Sequence, residues 1–190
     1  MEAMSALAIP KLSVEEYLTI DRAAELKSDY HDGLLFPVCS ASWVHGRLCA
    51  EMARQITVRL SGGPCGAVVS PVRVRVSQTK YVYPDLLVVC GKPALTDEQA
   101  DTVTNPKVIV EVLSPSTTDY DYGTKFGLYR ELPSFEEYVL VSQDRQRIEV
   151  YRRTANHQWL LSRYEGPDAV LPVDSLSLAI PLAEIYAGVL

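Results

Sequence analysis

Between residues 43 and 60 the apolar side chains Val44, Leu48, Met52, Ile56 and Leu60 recur every four positions. That spacing predicts an amphipathic helix, stopped by Ser61-Gly62-Gly63-Pro64. Upstream, Ser13 followed by Glu16 makes a capping box for a short helix through about Asp21. Asp32-Gly33, then Leu34, Leu35 and Phe36, reads as a turn entering a strand within residues 30–38. Across residues 71–76 valines alternate with Arg73 and Arg75, which predicts a strand whose arginine face is wet. Residues 86–90 and 108–113 are short unbroken apolar runs, the pattern of strands covered on both faces. Residues 122–132 read as a helix, and 137–142, 147–152 and 159–164 as further strands. In the second of these, Ile148 and Val150 alternate with Arg147, Glu149 and Tyr151. Residues 181–186 suit a short terminal helix with proline in its first turn. Helix, sheet, crossover helix and more sheet indicate an α/β fold.

Length and composition narrow this picture. At 190 residues the chain fits one domain, with residues 1–11 expected to be a flexible N-terminus. A chain of this size buries roughly 70% of its unfolded surface, so it needs no staple to fold. The four cysteines, Cys39, Cys49, Cys65 and Cys90, form no CxxC pair and no metal-ligand rhythm. They read as small buried apolar residues in a reducing compartment. The opening residues lack a basic start and a long apolar run, so no secretory signal is expected. No stretch approaches 18 uninterrupted apolar residues, so no membrane span is expected and the cytoplasm is the expected compartment.

A net charge of −6 argues against unspecific, whole-surface binding to nucleic acid. Residues 45–84 are nonetheless locally basic, with Arg47, Arg54, Arg59, Arg73, Arg75 and Lys80 against the single acid Glu51. Such a segment can face a phosphate backbone, or it can be ordinary solvated charge.

Two acids interrupt apolar strands. Asp85 opens the run 86–89, and Glu111 splits Val108-Ile109-Val110 from Val112-Leu113. A buried, unpaired carboxylate costs several kcal/mol, so it needs a partner, a proton or a metal. Each alone could be a strand-end acid reaching solvent or an arginine. Together on neighbouring strands, two carboxylates suit a hard divalent cation such as Mg²⁺ or Mn²⁺. Lys125 lies about one turn into the following helix, with Tyr129 four residues on along the same face. Folding that face over the strand end would bring an ammonium to the carboxylates; the competing reading is a lysine facing solvent. Asp29 reads as a turn acid or an outer metal contact, and His45 as a packed, capping or site histidine. There is no GxxxxGK[ST] loop, GxGxxG turn, HExxH or GxSxG elbow.

The strings Tyr83-Pro84-Asp85-Leu86-Leu87-Val88-Val89-Cys90 and Val110-Glu111-Val112-Leu113-Ser114-Pro115-Ser116-Thr117 carry more than their composition. With Tyr122-Gly123-Thr124-Lys125-Phe126 and Pro133-Ser134-Phe135-Glu136-Glu137-Tyr138, the chain resembles the Uma-type restriction endonuclease family, a branch of the PD-(D/E)XK superfamily. The resemblance runs from about Leu12 to Val189. It implies a restriction-endonuclease-like mixed β-sheet flanked by helices, and a Mg²⁺- or Mn²⁺-dependent DNA endonuclease hydrolysing phosphodiester bonds. By position, Asp85 and Glu111 are the metal-holding acids, with the Val112 carbonyl and Asp29 as further ligands. The usual motif lysine would fall at Leu113, which cannot serve; the resemblance implies that Lys125 replaces it. Asp29-Tyr30 stands where relatives tend to have Glu-Tyr, and Pro71 where they favour Asp.

The expected catalytic set is therefore Asp85, Glu111 and Lys125. Arg47, Arg73, Arg75, Tyr129 and His45 are the expected substrate contacts. A homodimer is a further expectation, since cutting two strands often uses two sites. The alternative is a non-catalytic nucleic-acid or protein interaction module on the same fold.

Overall fold

The structure is a computed structural model that describes residues 11–38, 42–69 and 71–190. The expected flexible N-terminus therefore lies, but for Lys11, outside the described residues, as does Cys39. In chain order the elements are α1 (Val14–Ala23), β1 (Ser28–His31), β2 (Leu34–Pro37), α2 (Trp43–Arg59) and β3 (Cys65–Val69). There follow β4 (Arg73–Ser77), β5 (Lys80–Val82), β6 (Leu86–Cys90), β7 (Thr102–Val103) and β8 (Val108–Val112). After these come α3 (Thr118–Tyr120), a π-helical turn (Asp121–Lys125), α4 (Phe126–Tyr129), β9 (Glu137–Val141), β10 (Arg147–Arg153) and β11 (Trp159–Glu165). The chain closes with β12 (Val170–Val173), a 3-10 turn (Asp174–Leu176), β13 (Leu178–Pro181) and α5 (Leu182–Ile185).

The main sheet has six strands in the order β11-β10-β9-β8-β6-β3. It is mixed: β8 and β9 are parallel, joined by the segment that carries the π turn, and its other pairings are antiparallel. Period-two alternation divides its side chains between two cores. Leu86, Val88, Val110, Val139 and Ile148 meet Leu48, Met52 and Ile56 of α2. Leu87, Val89, Ile109 and Leu113 meet Phe126, Leu128 and Tyr129 on the other face. That double cover explains why β6 and β8 read as unbroken apolar runs.

A second sheet, β2-β1-β5-β4-β7, holds the N-terminal hairpin. Its turn places Asp32 at φ 49° and Gly33 at φ 99°, the signature of an Asp-Gly hairpin. A Cβ at Gly33 would come within 2.5 Å of the Lys11 side chain, so position 33 needs glycine twice over.

Three expectations are corrected. Arg73 does not face water: it is 1% exposed, and its guanidinium donates to Asp21 at 2.9 Å, to Thr102 at 3.1 Å and to Asp101. The alternation of β4 was legible, but at Arg73 the "wet" face is covered by α1 and the loop before β7, while Arg75 on the same face is half-buried. Cys65 and Cys90 are not buried thiols; they sit opposite each other on β3 and β6 and are joined by a disulfide. Cys49 is buried and free, as expected. Finally, the helix expected over residues 122–132 begins earlier, at Thr118, and passes through the π turn before α4.

Candidate active site

The antiparallel register pairs Leu86 with Val110, so Asp85 and Glu111 occupy the next rung at the end of β6 and β8. Backbone groups lock them together. Asp85 N–H donates to Glu111 Oε2 at 3.3 Å, and Val112 N–H donates to Asp85 Oδ2 at 2.7 Å. The π turn then lays Lys125 and Tyr129 over Glu111. Lys125 Nζ donates to Glu111 Oε1 at 3.0 Å and to the Tyr83 carbonyl at 3.0 Å, while Tyr129 Oη–H donates to the same Oε1 at 2.9 Å. The i, i+4 face read from the sequence is therefore real, and it is turned inward.

These groups line one wall of a cavity of about 740 Å³, with His45, Cys49, Ser114, Ser116, Thr117 and Asp121 among its other walls. Ser42 caps α2 by accepting the His45 N–H at 3.1 Å, which sets the first turn of that helix against the strand end. His45 Nε2 lies 3.1 Å from Asp85 Oδ2, and its Nδ1 lies 3.5 Å from Cys49 Sγ.

Charge is unbalanced here. One ammonium, Lys125, sits among Glu111, Asp29, Asp121 and Asp85. Burial alone would lower the Lys125 pKa, but the four acids outweigh it and hold the amine protonated. Burial pushes Glu111 well above the usual carboxylate range despite Lys125 beside it, and also raises Asp121 and Asp29. Asp85 is the exception: burial pushes it up, yet the His45 contact, Lys125 and the Val112 N–H outweigh burial and hold it low. A pocket whose acids are strained by burial and short of cations is one a divalent ion would relieve.

Comparison with known proteins gives the family and the fold. A family model described as "Uma2: Putative restriction endonuclease" matches residues 14–183. The chain belongs to the Uma2 family. Two curated proteins of Synechocystis sp. (strain ATCC 27184 / PCC 6803 / Kazusa) are similar to it. "Uncharacterized protein sll1609" is 35% identical over 83% of this chain and 90% of its own length. "Uncharacterized protein slr1290" is 33% identical over 94% and 93%. A crystal structure of a "putative nuclease belonging to DUF820" from Anabaena variabilis ATCC 29413 superposes with a TM-score of 0.77. It covers 94% of this chain and 99% of that one at 19% identity, a likeness of fold. The restriction-endonuclease-like fold read from the sequence is borne out.

In this Uma2 chain the structure gathers Asp85, Glu111, Val112, Lys125 and His45 around one cavity. Asp29 stays outside its wall: it is 2% exposed, with Oδ1 accepting the Tyr83 N–H at 2.7 Å and Oδ2 accepting the Tyr120 hydroxyl at 2.8 Å. Its carboxylate braces the strand entry and biases Lys125 from behind. Tyr129 is wholly buried and touches Glu111, not the cavity. Arg73 is buried, and Arg47 and Arg75 lie outside the cavity wall. Arg47, Arg54, Arg59, Arg73 and Lys80 are all ion-paired, so much of the basic excess in residues 45–84 is neutralised within the protein. Sequence reasoning missed Asp121, buried and 3.6 Å from Lys125 Nζ. Its signal was an acid four residues before the lysine on one helical face.

Proposed function

We infer that this Uma2 chain is a divalent-metal-dependent endonuclease acting on DNA phosphodiesters. One observation carries the reading. Lys125 and the paired acids Asp85 and Glu111 converge on one open cavity although they come from three separate elements.

The donor set fits a hard cation. Glu111 Oε1 is taken by Lys125 and Tyr129, but Oε2 receives only the longer Asp85 N–H bond. Asp85 Oδ2 is taken by Val112 N–H and His45, while Oδ1 has no hydrogen-bond partner among the described residues. Asp85 Oδ1, Glu111 Oε2 and the Val112 carbonyl would hold Mg²⁺ or Mn²⁺. When bound, that ion supplies Lewis-acid neutralisation of charge at the phosphoryl group.

The chain's own groups do the rest. Tyr129 and Lys125 fix the Glu111 carboxylate so that only one oxygen faces the cavity. Lys125 carries the positive charge nearest the acids, placed to stabilise the extra negative charge that a phosphodiester gains on attack. His45 Nε2 holds Asp85 in its rotamer at the cavity mouth. Arg47 and Arg75, on the surface outside the cavity, remain candidate contacts to flanking phosphates. Two copies working on opposite strands is the matching assembly, read by sedimentation with and without duplex DNA.

Plasmid nicking in Mg²⁺ or Mn²⁺ tests the reading. Wild type should nick, and Glu111→Ala and Lys125→Met should each lose at least 100-fold. Wild type and Glu111→Ala equally inert, with no Mg²⁺ or Mn²⁺ heat in calorimetry, would sink it. The second reading, a protein interaction module without catalysis, is favoured by the internal neutralisation of the arginines. It predicts no nicking and no DNA binding by wild type or Glu111→Ala.

A further inference from the structure

The cavity wall carries a second donor set that shares Asp85 with the nuclease reading and adds the Cys49 thiol, which that reading leaves unused. His45 and Cys49 are four residues apart on α2 and so project from one face of the helix. That face meets Asp85, and one donor atom from each of His45, Cys49 and Asp85 lies within 4.8 Å of the other two. All three side chains line the cavity, and none is exposed: the side chains of His45 and Asp85 are 15% and 24% accessible and Cys49 is 9%.

A thiolate, an imidazole and a carboxylate are the wrong donors for Mg²⁺, which prefers oxygen alone. They are the donors that borderline-soft ions select, and three protein ligands with one open position is the pattern of a catalytic zinc site. Four-coordinate Zn²⁺, with ligand bonds of roughly 2.0–2.3 Å, sets its donors about 3.3–3.6 Å apart. The His45–Cys49 contact, at 3.5 Å, is already in that range and the Asp85–His45 contact, at 3.1 Å, is slightly inside it, though the two use opposite ring nitrogens. One donor atom from each residue lies within 4.8 Å of the other two, so closing the three around one ion asks for a contraction of about 1 Å.

We propose that His45, Cys49 and Asp85 form a binding site for a single divalent transition ion of the Zn²⁺ class. On binding, the Cys49 S–H bond breaks, sulfur keeps the electron pair as ligand, and the proton leaves to solvent buffer. Asp85 is the shared group, so a soft ion at Cys49 competes with a hard ion at Glu111 for the same carboxylate. The proposal goes beyond the nuclease reading and does not depend on it, since binding needs no substrate turnover.

Co²⁺ reports the site directly. The full-length protein, metal-free and without reductant so that Cys65 and Cys90 stay bonded, is titrated with Co²⁺ and followed by absorbance. Expected are one equivalent bound, a near-ultraviolet thiolate-to-cobalt charge-transfer band, and the strong visible bands of a four-coordinate ion, all displaced by Zn²⁺. Cys49→Ala should abolish the charge-transfer band and weaken Zn²⁺ at least tenfold; Cys49→Ser serves if the alanine variant does not fold. His45→Gln should weaken Zn²⁺ at least tenfold while circular dichroism stays native, and Cys39→Ser should keep the band. No charge-transfer band in wild type, a band that survives loss of the Cys49 thiol, or one abolished by Cys39→Ser overturns the site. Plasmid nicking is scored separately, so an inert enzyme with an intact cobalt band refutes the nuclease reading and leaves this site standing.

Discussion

Replacing Arg73 with methionine separates two roles that the sequence allowed for this residue. In the structure its guanidinium is buried between the Asp21, Thr102 and Asp101 side chains and lies 5.9 Å from the ring centres of both Tyr17 and Tyr83. Methionine keeps most of the volume but removes the charge. Asp21, itself 2% exposed, is then left with two donors, the Tyr83 hydroxyl at 2.6 Å and Ser28 N–H at 2.8 Å, and no buried cation. Breaking a buried pair from one side costs about 3–5 kcal/mol. With a urea m value of about 2.5 kcal/mol/M, the unfolding midpoint falls by about 1–2 M. Asp21→Asn should cost a similar amount, and the double variant less than the sum, because the second change removes a charge already orphaned. A solvent-facing phosphate contact predicts the opposite pattern: stability within about 0.5 kcal/mol and a DNA-binding salt slope shallower by about one. A midpoint shift under about 0.2 M, or strict additivity in the cycle, refutes the buried-network account.

Three other outcomes follow from the same coordinates. Asp101 is held far below the usual carboxylate range, first by the Arg22 hydrogen bond and then, against some desolvation, by Arg73. A depressed carboxyl adds stability above its unfolded pKa of about 3.9 and loses it as pH falls through the folded value. Asp101→Asn should therefore be less stable than wild type at pH 7 in urea melts, with the gap closing at acid pH; a constant gap argues against the linkage. Tyr129→Phe removes one of two donors to Glu111 Oε1 and should cost about 1–2 kcal/mol of stability. By calorimetry it should also weaken Mg²⁺ about tenfold or more, and unchanged affinity would mean the hydroxyl does not position Glu111. Reducing Cys65–Cys90, a bond between residues 25 apart, should cost about 3 kcal/mol, and Cys65→Ser should abolish that sensitivity to dithiothreitol.

How much the sequence disclosed depended on whether a signal was local. The helices at Ser13 and Trp43 were legible because a cap and a four-residue stripe are written in consecutive residues. The apolar runs of β6 and β8 were legible because both faces are covered. β3 was missed because, at a sheet edge, it alternates nothing, and β5 because three residues are too few to show a period. Glu111 was found by its cost: an acid inside an apolar run must be compensated. Arg73 misled because alternation tells which side chains share a face, not what covers it. The disulfide was invisible because the register that brings residue 65 opposite residue 90 is set by the whole sheet. Asp121 was overlooked because only the π turn reveals that its face points inward.

The π turn also explains how the site does without a lysine on its strand. Residues 111 and 113 share a face at the C-terminal end of β8, so a lysine at 113 would stand beside Glu111 by alternation alone. Here Leu113 occupies that direction and packs with Phe126, Leu128 and Tyr129, 7% exposed. An ammonium there would have to be carried inside an apolar cluster. An i→i+5 turn widens the helix by one residue, and such turns recur at functional sites. In this chain it spans the stretch that ends at Lys125, whose Nζ reaches Glu111 Oε1 from above while Leu113 stays in the core. The charge thus arrives from a separate element, with Asp121 at the other end of the same turn to hold it. Glu111 and Lys125 are fixed by different parts of the fold, and the pair depends on the packing of residues 118–129 onto β8 rather than on one strand.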